Sequence, residues 1–66
     1  MTVWQIKKSN HDLFLCTEID SGGMAVYFMG QAFADKFHSE ADAEQFVQRV
    51  KERYPTEEFE IVRNEQ

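Results

Sequence analysis

Hydrophobic and polar positions alternate with a period of two through the first half of the chain, then switch to a helical period in the second. Val3, Gln5 and Lys7 share one side and Trp4 and Ile6 the other, which predicts a first strand over about residues 2–8. Ser9-Asn10-His11-Asp12 is a cluster of turn formers. A second strand is expected over about 13–20, with Leu13, Leu15, Thr17 and Ile19 on one face and Phe14, Cys16 and Glu18 on the other. Ser21-Gly22-Gly23 supplies a tight hairpin, and about 24–29 forms a third strand that is apolar on both faces. Gly30 marks a bulge, a bend or the strand end.

Residues 31–37 fit either a further short strand or an extended lead-in; we expect the lead-in, with Phe33 and Phe37 buried. Ala43, Phe46, Val47, Val50 and Tyr54 then mark one face of a helix over about 40–54. Ser39 is placed to cap it, with Asp42 giving a shortened capping box. Glu40, Asp42 and Glu44 at the start, against Arg49, Lys51 and Arg53 at the end, suit the helix macrodipole. Pro55 stops the helix, and a closing strand over about 58–63 turns Phe59 and Ile61 inward, leaving residues 63–66 as a polar tail expected to fray.

The expected fold class is α+β, one domain over residues 1–66: a three-stranded antiparallel β-meander, one amphipathic helix on a face, and a C-terminal closing strand, in the order β-β-β-α-β. If the helix runs back antiparallel to the third strand, the last strand points the same way as the first and third. It then pairs in parallel at whichever edge it joins.

This pattern raises a problem of cover. A helix of about 15 residues is roughly 22 Å long and covers one face of a small sheet. Strands two and three nevertheless carry large apolar residues on both sides, where a half-solvated sheet is polar on its open face. Either a partner covers the second face or the sheet curls to bury both. A chain of 66 residues buries roughly 60% of its unfolded surface, so added burial has a large effect on its stability. One cysteine, Cys16, leaves no internal disulfide and no cysteine-rich zinc site to supply it. A homodimer, or an unidentified protein partner, is therefore expected. Trp4, Phe14, Val26, Tyr27, Phe28 and Met29 are the candidate interaction surface.

Charge narrows the partner class. Twelve acidic against seven basic residues give a formal charge of −5, which opposes nucleic acid and anionic membrane surfaces. The first residues lack the basic start and apolar run of a signal peptide, and no apolar run reaches the roughly 20 residues of a membrane span. A cytoplasmic protein with a reduced thiol is expected.

The residues that carry chemistry read better as structure. His11 and Asp12 are adjacent in a turn, where neighbours rarely address one atom. Cys16 sits in mid-strand and reads as a small buried hydrophobe rather than a nucleophile. His38 near Asp35 and Asp42 matches no metal-ligand spacing, and Gly22-Gly23 lacks the spacing of a phosphate loop. No catalytic, metal, cofactor or small-molecule substrate site is assigned.

The segment from Ala34 to Phe46 follows the pattern A-x-x-F-x-S-x-x-x-A-x-x-F and resembles small uncharacterised proteins of Firmicutes and their prophages. That resemblance implies a stand-alone accessory protein of a bacterium or phage and brings no catalytic residues. The sequence thus points to a non-enzymatic protein-interaction module acting through an apolar sheet face. An acidic inhibitor that mimics nucleic acid on a host enzyme is the alternative, carried by Glu40, Asp42 and Glu44 and by Glu57, Glu58 and Glu60.

Overall fold

Alternation becomes strand, and the 3.6-residue period becomes helix, within a residue or two of the expected bounds. The computed structural model describes residues 1–66 as β1 (Thr2–Lys8), β2 (Phe14–Asp20), β3 (Gly23–Met29), a 3₁₀ turn (Gln31–Phe33), α1 (Glu40–Arg53) and β4 (Phe59–Glu65). The strands form one antiparallel sheet in the order β3-β2-β1-β4, with α1 on one face. This is the expected small α+β fold.

Local chemistry explains the element ends. Asn10 takes the left-handed conformation (φ 65°) inside the β1–β2 turn, which the Lys8 N–H closes by donating to Leu13 O at 2.8 Å. In the β2–β3 hairpin the Gly22 N–H donates to Asp20 Oδ1 at 2.8 Å, and Gly23 takes φ 116°, open to glycine at little cost. Ser39 caps α1 by accepting from the Asp42 N–H at 3.1 Å. Ala43 and Val50 are buried on the inner side of the helix, with Phe46, Val47 and Tyr54 packed half-buried around them.

The expected direction of the closing strand is corrected. β4 pairs antiparallel with β1, from Thr2 opposite Glu65 to Lys8 opposite Phe59. The cause lies in residues 34–37, which make a return pass of their own. β1 and β2 pair only at their turn end, Lys7 opposite Phe14, and then diverge. The lead-in enters the gap: Phe37 pairs with Trp4 through two backbone bonds of 2.9 Å, and the Asp35 N–H donates to Leu15 O at 3.0 Å. Asp35 also accepts from the Thr17 N–H at 3.3 Å and from Thr17 Oγ1 at 2.5 Å. Because this pass already carries the chain back, α1 runs with β1 and β4 runs against it.

Three further expectations change. Phe33 is not buried but 62% exposed, whereas Phe37 does pack inward, its ring 5.4 Å from that of Phe46. Leu13 lies before β2 and is exposed. The C-terminal tail continues β4 to Glu65, and the Gln66 N–H donates to Met1 O at 2.7 Å.

The sheet curls toward the helix at its turn end. Four flat strands would hold β3 and β4 roughly 14 Å apart. Phe28 of β3 and Phe59 of β4 nevertheless stack with ring centroids 6.0 Å apart, and Tyr54 meets Phe28 edge-on at 6.4 Å. Lys8 places its ammonium 5.3 Å above the Phe28 ring. Curl in the sheet and the wedge at residues 34–37 together enclose a core centred on Ile6, Leu15, Ala43 and Val50.

Candidate interaction surface

Strand pairing fixes which side chains share the face away from α1. Phe14 stands opposite Met29, Cys16 opposite Tyr27, and Glu18 opposite Ala25. On the other half of the sheet Gln5 stands opposite Val62, Val3 opposite Asn64, and Lys7 opposite Glu60. The six candidate residues therefore divide. Trp4, Val26 and Phe28 lie on the helix side, half-buried against the core. Phe14, Tyr27 and Met29 lie together on the second face, where Phe14 is buried, Tyr27 is 46% exposed and Met29 is 41% exposed.

A polar latch, absent from the expectations, organises the middle of this face. Gln5 is 1% exposed, and both its amide nitrogen and its amide oxygen have hydrogen-bond partners. Its Nε2 donates to Gln31 O at 3.4 Å, while its Oε1 accepts from Gln31 Nε2 at 3.0 Å and from Asn64 Nδ2 at 3.3 Å. A buried amide without partners would cost about 1–3 kcal/mol, so these bonds hold the 3₁₀ turn against the sheet. That turn presents Phe33 to solvent. The sequence carries no local signal for this burial: Gln5 shares its side of β1 with Val3 and Lys7, and alternation ranks it with the polar positions.

Chemistry-bearing residues remain apart. His11 and Asp12 are exposed in the β1–β2 turn. Cys16 is half-buried; burial first, then the charges of Asp35 and Glu18, push its thiol pKa up, the opposite of what a thiolate nucleophile needs. No three His, Cys, Asp or Glu side chains come together as a metal site. No helix is long and apolar enough to cross a membrane.

The charges are interleaved. Lys7 pairs with Glu60 at 3.3 Å, Lys8 with Glu57 at 3.4 Å, and Arg63 with Glu65 at 2.8 Å, all at the surface and each worth at most about 1 kcal/mol. Arg53 reaches from the end of α1 to donate to Met24 O at 3.1 Å. A shallow groove of about 420 Å³ runs between α1 and β4, lined by Ala41, Glu44, Gln45, Val47, Gln48 and Ile61.

The exposed apolar side chains of the second face, Tyr27 and Met29, thus lie beside the anchored 3₁₀ turn. No protein-family model, curated protein or solved structure matches the chain.

Proposed function

We propose that this protein is a non-enzymatic interaction module whose second sheet face associates with a second copy of itself. The observation that carries the reading is the exposure of Tyr27 and Met29 on a face where Phe14, opposite Met29, is already buried. Tyrosine offers contact area at small cost in lost side-chain freedom, and methionine adapts its shape to an apolar partner. The chain also gains from association, since only eight of its 66 residues are buried. An accessory role in a bacterium or prophage is what the resemblance over Ala34 to Phe46 implies, and a cytoplasmic setting accords with the single reduced thiol.

The acidic-inhibitor reading has less support, because Lys7 and Lys8 pair with Glu60 and Glu57, two of the six acidic residues that would carry it. Light scattering at micromolar concentrations tests the first reading. A dimer mass is expected, with Tyr27→Glu shifting it toward monomer while the helical circular-dichroism signal persists. A monomer mass at all concentrations for the parent protein would reject it.

A further inference from the structure

The bonding parity of the β1–β4 ladder determines which way each group of β4 points. The Gln66 N–H bonds to Met1 O and the Ser9 N–H to Glu58 O, so odd residues of β1 bond with even-numbered partners across the ladder. Even residues of β1 must face the other way, and they do: the Trp4 N–H donates to Phe37 O and the Lys8 N–H to Leu13 O. By the same parity Phe59, Ile61, Arg63 and Glu65 aim their N–H and C=O groups outward. β4 is an edge strand, so this row meets solvent.

The groove between α1 and β4 lies on the helix side of that row. Ile61 belongs to both, presenting outward backbone groups and a side chain that forms one wall of the groove. Ala41 and Val47 make the rest of its apolar surface; Glu44, Gln45 and Gln48 supply the polar groups, and no cation lines it. Glu44 has no ion-pair partner, and Arg63, two residues along β4, is already held by Glu65.

We propose that the β4 edge and this groove form a second binding site, which takes an extended basic segment of another protein as a fifth strand. The outward N–H and C=O groups of Ile61 and Arg63 complete a ladder with the incoming backbone. Alternate side chains of the incoming strand enter the groove, where an aliphatic residue packs on Val47 and Ile61 and a neighbouring lysine or arginine reaches Glu44. Charge favours this occupant over a second copy of the chain, since each copy has a net charge of −5 and brings its own Glu44 to the contact. The site lies on a different surface from Tyr27 and does not depend on self-association there.

Amide hydrogen exchange and NMR titration test the proposal. The probe is a blocked heptapeptide in which threonine alternates with lysine, valine and lysine; a control replaces both lysines with glutamate. In the free protein the Ile61 and Arg63 amides should exchange quickly and those of Val62 and Asn64 slowly. The lysine peptide should slow exchange at Ile61 and Arg63 and shift the Val47 methyl signals. The glutamate peptide should bind about fivefold more weakly or worse, the scale of one exposed ion pair. Glu44→Lys, at an exposed position of α1, should reverse the preference between the peptides without disturbing the core. N-methylation of the lysine peptide along its bonding edge should abolish binding. Equal binding of both charged peptides, or of the N-methylated one, would overturn the proposal. So would a lack of binding, or concentration-dependent protection of Ile61 and Arg63 without peptide, which would assign the edge to a second copy.

Discussion

Removing the Asp35 carboxylate should do two separable things, and both follow from its position in the gap between β1 and β2. Asp35 accepts from the Thr17 N–H and from Thr17 Oγ1 where the two strands no longer bond each other. In Asp35→Ala both donors lose their acceptor in a half-buried setting. Hydrogen bonds to a charged acceptor contribute about 1.5–3 kcal/mol each when well formed. The N–H bond is long, at 3.3 Å, and the site is partly solvated, so a combined loss of about 2–3 kcal/mol is expected. A domain of this size has a total stability of only about 3–5 kcal/mol. With a urea m-value near 1 kcal/mol/M, the midpoint should fall by about 2 M. Asp20→Ala, which removes one exposed turn bond, should cost about 0.5 kcal/mol or less. The second effect is electrostatic. After burial, the Asp35 charge is the next cause of the raised Cys16 pKa, so Asp35→Ala and Asp35→Asn should both lower it. Urea unfolding by circular dichroism and thiolate absorbance at 240 nm measure the two effects independently. If Asp35→Ala unfolds at the same midpoint as Asp20→Ala, the lead-in does not hold the strands together and the account of the sheet is wrong.

Phe46→Ala should lower the urea midpoint far more than Gln48→Ala, with a stability loss of about 2–4 kcal/mol for a half-buried ring packed on Phe37. Ser39→Ala should cost about 1 kcal/mol through loss of the cap, with the reduced helix signal in thermal melts as its mark. Cys16 should react slowly with a thiol reagent in the folded state and quickly in urea. Its raised folded pKa means that the folded state holds the proton longer, so stability should fall as pH rises through the ordinary thiol value of 9.0 toward the folded one. Cys16→Ala should remove that alkaline loss, which a pH series of urea midpoints would show. Gln5→Ala should release the 3₁₀ turn, seen as faster amide exchange at Phe33 and Ala34, whose N–H groups bond within it.

Periodicity and turn chemistry made most of the elements legible. The helix face from Ala43 to Tyr54, the Ser39 cap and the two hairpins all depend on neighbours within a few residues, which a linear chain displays. The direction of β4 was hidden because it rests on a non-local event, the passage of Asp35 and Phe37 between β1 and β2. No local pattern encodes that passage; Phe33 and Phe37 look alike in sequence, and only the wedge separates an exposed ring from a packed one. Alternation within a strand does not relate its faces to those of the next strand. Trp4 and Phe14 therefore fall in one candidate surface although they lie on opposite faces, and alternation does not show that the curl brings Phe28 to Phe59. Strand register puts Phe28 and Val26 on the face of buried Leu15, the helix side, and so narrows the second-face candidates to Phe14, Tyr27 and Met29. Gln5 escaped notice because its burial depends on Gln31 and Asn64, both far away in the chain.

Association through the second face is tested most directly by isotope-filtered NMR on a mixture of labelled and unlabelled protein, where only contacts between molecules give signal. The Tyr27 ring and the Met29 methyl should show cross-peaks to the same face of another copy, and Tyr27→Glu should erase them. Intermolecular cross-peaks confined to α1 or to the β4 edge, or none at concentrations where the parent protein is dimeric by mass, would contradict the assignment of this face as the interface.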